Sequence, residues 1–206
     1  MDAISVKNIW KTYSYWALLI GIAFFTIYPT CNWLTSQRTY ALALYLDSEL
    51  NIPFIPEFAW AYLSMYVLFL MPPFFLDILQ LKALGKHLLA GTFFSGLVFL
   101  VLSAKLGFVR IVPEEPFYRS LFTGLFAVDM PHNMVPSLHV VFSALILFAL
   151  LDASITRLSK TVWWGWIVLI LASTLLVHQH HLLDVFTGLV VALMLRRLIG
   201  KEGNHV

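Results

Sequence analysis

The sequence predicts an all-α integral membrane bundle of six transmembrane helices, with an interfacial helix between spans one and two. Three observations carry this prediction. Hydrophobic residues make up 60% of the chain and charged residues 12%, with a mean hydropathy of +0.84. Soluble domains hold about 45–50% apolar and roughly 25% charged residues, so the composition argues against a water-soluble globule. The apolar residues fall into long runs, and 206 residues make one domain of about six spans at roughly 20 residues each. The aromatic content of 16%, including seven Trp, suits a chain that meets two lipid–water interfaces.

The elements follow in order. The first span covers 14–34; no small-residue cleavage site follows it, so it reads as a retained helix and not a removed signal peptide. Residues 38–58 are amphipathic and contain Asp47, Glu49 and Ile52-Pro53-Phe54-Ile55-Pro56. They read as an interfacial helix followed by a rigid, proline-set re-entry. The second and third spans cover 59–79 and 88–108, and 109–135 is a loop. The fourth to sixth cover 136–153, 162–177 and 181–195. The whole chain, 1–206, is a single membrane domain with its chemistry-bearing core at about 105–188.

Charge sets the orientation. Lys7, Lys11, Lys82, Lys86, Arg157, Lys160, Arg196, Arg197 and Lys201 fall on one side, and Arg38, Lys105, Arg110 and Arg119 on the other. By the positive-inside rule both termini are cytoplasmic, the inner membrane being the site if the source is bacterial. The polar strings then open on the outer face. A net charge of +2 is too small to argue for a nucleic-acid partner, and the single cysteine, Cys31, permits no intrachain disulfide.

Two strings carry the candidate chemistry: Pro136-Ser137-Leu138-His139 and His180-His181-Leu182-Leu183-Asp184. Histidine and aspartate at the ends of apolar runs cost free energy unless they are paired or used. His180 and Asp184 stand at i and i+4, neighbours on one helical face. A carboxylate there can hold one ring nitrogen and leave the other as nucleophile or base. His139 can serve as acid for a leaving oxygen. Ser137, the N–H groups at the start of the fourth span, and Lys105 or Arg110 can hold phosphate oxygens. Each residue also has a plainer reading. Lys105 and Arg110 can snorkel, Ser137 can cap its helix, and a histidine near a span end can be an interfacial hydrogen-bonder. His178, His180, His181 and Asp184 are dense enough for a metal site, although only His180 and Asp184 share a face of a continuous helix.

At these residues the chain resembles the type-2 phosphatidic acid phosphatase superfamily, the integral-membrane lipid phosphate phosphatases. That family carries lysine, six residues and Arg-Pro; then Pro-Ser-Gly-His; then Ser-Arg, five residues, His, three residues and Asp. Here the second motif is Pro136-Ser137-Leu138-His139, and the third is Ser173-Thr174, five residues, His180, three residues, Asp184. Pro-Ser-Leu-His, Gln179-His180-His181, the string Asp129-Met130-Pro131-His132-Asn133 and Ile52 to Pro56 resemble the branch containing inositol phosphorylceramide synthases. The resemblance implies a metal-independent, cofactor-free, two-step mechanism on a lipid phosphate or diphosphate. His180 attacks phosphorus to form a phosphohistidine, and Asp184 orients it. His139 protonates the leaving oxygen and then activates water or an alcohol. Ser137, Ser173 and basic residues bind phosphate oxygens. The third-motif arginine is Thr174 here. The first motif is degraded: Lys105 is followed by Arg110, with Glu115-Pro116 where Arg-Pro is expected and Arg119 as a substitute cation. Three functions follow as expectations: lipid phosphatase; phosphotransferase moving a phospho-headgroup from a phospholipid to an alcohol; or a non-catalytic lipid-binding membrane protein.

Overall fold

A helix apolar on every side belongs at the centre of a bundle, and residues 138–153 supply one. The computed structural model describes residues 3–129 and 131–199. Among these the fold is all-helical: α1 (Ala3–Ser36), α2 (Ala59–Phe69), α3 (Pro72–Phe75), α4 (Ile78–Val101), α5 (Pro116–Val128), α6 (Leu138–Ala153), α7 (Arg157–Leu176) and α8 (Leu182–Leu198). Twelve of the 16 residues of α6 are buried, against α2, α3, α4, α7 and α8. Helix α1 packs on α4, where a Cβ at Gly85 would come within 2.2 Å of the Trp16 ring and one at Gly96 within 2.4 Å of Ile27.

Among the described residues, three helices are long and apolar enough to cross a membrane: Ile4–Ser36, Ile78–Val101 and Arg157–Leu176. Leu18, Ile22 and Phe25 of α1, Phe93 and Leu97 of α4, and Trp164 and Val168 of α7 are exposed on their outward faces. Apolar surface on this scale is out of place in water and compatible with a membrane protein.

Several expected elements change form. The 38–58 segment is not an α-helix. It is an extended strap with two short 3-10 turns, Asp47–Asn51 and Pro56–Phe58. Its backbone bonds elsewhere: Leu42 N–H donates to Ser103 O (2.7 Å), Lys105 N–H to Leu42 O (2.9 Å), and Ile55 N–H to Leu176 O (2.8 Å). Ile52 and Ile55, each preceding a proline, are in extended conformation, as the residue before a proline favours. The 59–79 span breaks after Phe69, because Pro72 and Pro73 bring no N–H to a continuing helix. The next helix starts ten residues before the expected 88, at a capping box in which Asp77 accepts from Gln80 N–H and Gln80 from Asp77 N–H. It ends at Val101, where the chain leaves to pair with the strap. Half of the expected 109–135 loop is α5, started by Glu115 accepting from Tyr118 N–H (2.9 Å) and by Pro116 at the first helical position. Lys201, counted above on the basic side, lies outside the described residues.

Helices α6 and α8 run parallel and cross closely near their starts. A Cβ on Gly188 would lie 2.9 Å from the Ser137 carbonyl oxygen and 2.9 Å from Val140 Cβ. At their far ends Arg196 holds both carboxylate oxygens of Asp152, at 2.7 and 2.8 Å. Gly188→Ala therefore presses on backbone that cannot yield, and is expected to destabilise the fold by about 1–3 kcal/mol. Gly165→Ala, which meets open space, is expected to be neutral or stabilising by up to about 1 kcal/mol. Thermal unfolding of the two variants in detergent reads the difference; equal midpoints would contradict the close crossing.

Candidate active site

The histidine-rich string is a turn between α7 and α8, and not the continuous helix expected. His178 has a φ of 55°, the left-handed conformation that ends a helix. Gln179 N–H donates to Thr174 O (3.0 Å) and His178 N–H to Leu175 O (3.1 Å), the two bonds of a Schellman closure. Glycine is usual at this position, and histidine is among the few side chains that tolerate it. Here the ring is fixed from three sides. It stacks on Phe108 at 4.0 Å, lies beside Phe54, and its Nε2 meets Ile52 O at 2.9 Å. Burial lowers the His178 pKa, against the carbonyl bond that favours its N–H.

The same closure aims His180, whose N–H also donates to Thr174 O at 3.0 Å. His180 precedes α8, so its i,i+4 partnership with Asp184 spans the start of the helix. Asp184 Oδ2 accepts from His181 N–H (2.8 Å) and stands 3.3 Å from His180 Nδ1. With the Nδ1 proton directed at the carboxylate, Nε2 carries the lone pair needed for attack on an electrophile.

His139 comes to this pair through the backbone. Ser137, and not Pro136, starts α6: its Oγ accepts from Val140 N–H (3.3 Å), and its own N–H donates to Asp184 O (3.0 Å). The two sequence motifs are thus joined directly. The imidazoles of His139 and His180 lie within electrostatic reach of each other, and both are buried, 8% and 6% exposed. Among the described residues His139 Nε2 has no hydrogen-bond partner, and the Tyr62 ring stacks on the imidazole at 4.0 Å and 13°.

The expected phosphate ligands are distributed differently. Ser137 is the α6 cap, and the Ser173 hydroxyl donates to Ile170 O (2.7 Å) within α7. Lys105 is exposed. Arg110 is committed to the end of α5, donating to Phe126 O (3.0 Å) and Asp129 O with its guanidinium 4.8 Å from the Phe126 ring. Burial lowers its pKa, while the Asp129 carboxylate acts to raise it. Arg119 lies on α5, exposed. Burial, then the nearby Arg110 charge, lowers the pKa of His132.

Two carboxylates outside the motifs were not read as site residues. Glu49 of the strap, 3% exposed, accepts from Leu182 N–H (2.7 Å) and Leu46 N–H (2.9 Å) and stands 3.3 Å from His181 Nδ1. His181 Nε2 accepts from Gly107 N–H (2.9 Å), and its ring is sandwiched between Tyr45 and Phe108. Asp129 accepts from Tyr28 OH (2.6 Å) and Tyr62 OH (3.4 Å). Their one signal in the sequence was an acid in a chain with only 11 Asp and Glu. Among the described residues, no three His, Cys, Asp or Glu side chains are grouped to hold a metal ion.

Fold and site together define an all-helical apolar bundle with a buried histidine–carboxylate pair beside a second imidazole. No family model matches the chain, and neither a curated protein nor a solved structure matches it.

Glu49 ties the strap to the turn that carries His180. Glu49→Ala leaves the Leu182 N–H without its acceptor, and a loss of about 1–3 kcal/mol is expected. Glu49→Gln keeps an oxygen acceptor and should lose less. Thermal unfolding orders the variants; an alanine variant as stable as the parent contradicts the assignment.

Proposed function

We propose that the chain is a membrane-embedded phosphoryl-transfer enzyme whose first-choice activity is hydrolysis of a lipid phosphate or diphosphate. The observation that carries this reading is the Ser137 N–H to Asp184 O bond, which draws His139 beside the His180–Asp184 pair. His180 Nε2 attacks phosphorus, the bond to the leaving lipid oxygen breaks, and His139 gives that oxygen its proton. Water then passes a proton to His139 and attacks the phosphohistidine, releasing phosphate and restoring both imidazoles. The first turn of α6 carries no acidic residue, and its leading N–H groups precede the intrahelical ladder, which favours an anion there.

One observation favours a second reading, transfer of a phospho-headgroup from a phospholipid to an alcohol. Arg110 is spent on carbonyls and Thr174 stands at the third-motif arginine. A site short of cations suits the single charge of a phosphodiester better than the double charge of a monoester. The resemblance to the lipid phosphate phosphatase superfamily and its transferase branch supports both readings.

The proposed arrangement has six spans, cytoplasmic termini and the site at the outer face. The broken α2–α3 pair and the shorter α6 and α8 complete the three long helices. The strap and α5 lie at the outer interface. Single cysteines placed at Lys105 and Lys82, in a background with Cys31 replaced, are expected to react with an impermeant maleimide on opposite sides of the membrane. Labelling from the same side contradicts this orientation.

Purified protein in detergent is expected to release phosphate from a panel of lipid phosphates, or to pass a headgroup to an added lipid alcohol. His180→Ala and His139→Ala should each reduce turnover by about 10²-fold or more. Vanadate should inhibit, and chelators should not. Full activity in both variants overturns the mechanism, and loss of activity in chelator points to a metal. A wild-type protein that binds lipid phosphates without turnover is a lipid-binding protein.

A further inference from the structure

Among the described residues, none hydrogen-bonds His139 Nε2, and the contact that holds the plane of this imidazole is a ring stack. The ring lies face to face with Tyr62 of α2, centroids 4.0 Å apart and planes within 13°. Tyr62 is itself held at its far end, where its hydroxyl donates to Asp129 Oδ2 at 3.4 Å. The other carboxylate oxygen of Asp129 takes the Tyr28 hydroxyl of α1 at 2.6 Å, and its backbone carbonyl takes the Arg110 guanidinium. Beyond the hydroxyl, Tyr62 packs with Ala59, Phe122 and Val177. A tyrosine that merely filled the core would need neither the parallel face on an imidazole nor a charged acceptor at its tip.

We infer that Tyr62 is a positioning residue for His139, with Asp129 setting the angle of its ring. The stack keeps the imidazole in one rotamer while leaving Nε2 free to exchange a proton with the substrate oxygen. Tyr28 and Arg110 act one step further out, by holding Asp129 at the junction of α1, α2 and α5. The kinetic consequence rests on the phosphoryl-transfer reading; the placement of the imidazole does not.

Two measurements test the inference on the full-length protein. In histidine-labelled protein, the His139 ring protons, assigned by their loss in His139→Gln, lie under the Tyr62 ring current. Tyr62→Leu is expected to move them downfield, and Tyr62→Phe, which keeps the ring but frees it from Asp129, to move them by a smaller amount. In turnover assays with a lipid phosphate, Tyr62→Leu is expected to lower kcat by about 10²-fold at little-changed KM. Tyr62→Phe should recover most of that loss. Tyr62→Phe and Asp129→Asn remove the same tether, so the double variant should be no worse than the weaker single one.

An unmoved His139 signal in Tyr62→Leu overturns the placement, whether or not the protein is active. Wild-type kcat in Tyr62→Leu, while His139→Ala is inactive, overturns the positioning role and leaves the proposed function standing. Additive losses in the double variant remove Asp129 from the assignment. If Tyr62→Leu does not fold, Tyr62→Phe and Asp129→Asn decide through their coupling in the His139 signal. If the wild type turns over no lipid phosphate, the proposed function fails and the resonance measurement alone judges the stack.

Discussion

The site depends on one contact, the backbone bond from Ser137 N–H to Asp184 O, and on the missing side chain at Gly188 that permits it. Parallel helices that start side by side bring two partially positive ends together, which is unfavourable unless something offsets it. At α8 the offset is visible. Asp184 lies in the first turn, and Glu49 reaches in from the strap to accept the Leu182 N–H. At α6 the first turn holds no acid and is capped by a neutral serine. The pair of helix starts is therefore charge-compensated on one side and open on the other. His180 belongs to the compensated side and His139 to the open one, so an imidazole oriented by a carboxylate lies beside an electropositive helix start.

The fold was legible where the signal was local. Ser137 as a cap, Asp77 with Gln80, and Glu115-Pro116 all follow general rules for helix starts, although the last two fall where the apolar runs alone predict no start. Apolar runs mark where helices lie but not where they stop. The strap shows why: its amphipathic composition suits an interfacial helix, but Ser103 and Leu176 offer carbonyls that compete for its N–H groups. His178 gave no warning of a helix end, because the left-handed residue there is neither glycine nor asparagine. The spacing of His180 and Asp184 marks a pair, but the pair straddles a helix start and does not share a helical face. Four residues also separate a residue just before a helix from its third position, where a carboxylate turns back toward the start.

Least legible were the carboxylates and cations that act at a distance. Arg38 donates to Leu100 O near the end of α4, and Arg110 to Phe126 O and Asp129 O at the end of α5. Helix ends expose carbonyls that no intrahelical donor can reach, and an arginine fork is well shaped to satisfy them. In a chain with only 13 Lys and Arg, two guanidinium groups used this way are unavailable to a phosphate. Sequence position placed Arg110 near the site, but only the fold reveals that α5 exists and that its carbonyls claim the charge first.

That allocation sets the electrostatics of any reaction here. Asp184 in the first turn of α8 and Glu49 reaching it from the strap are both buried, and in the proposed reaction a phosphoryl group beside His180 adds negative charge to a region that already holds these two carboxylates. In a poorly solvated site that repulsion is weakly screened. In the proposed reaction that charge can be met by a cation from the rim. Lys105 is the cation whose backbone is best placed for this. Its N–H is tied to Leu42, and two residues further on Gly107 binds His181 Nε2 while Phe108 stacks between His178 and His181. The backbone of Lys105 is thus anchored to the histidine turn while the residue itself stays exposed. A flexible ammonium tethered at the rim can accompany an anionic headgroup inward, where a guanidinium already locked on helix-end carbonyls would first have to break its own bonds.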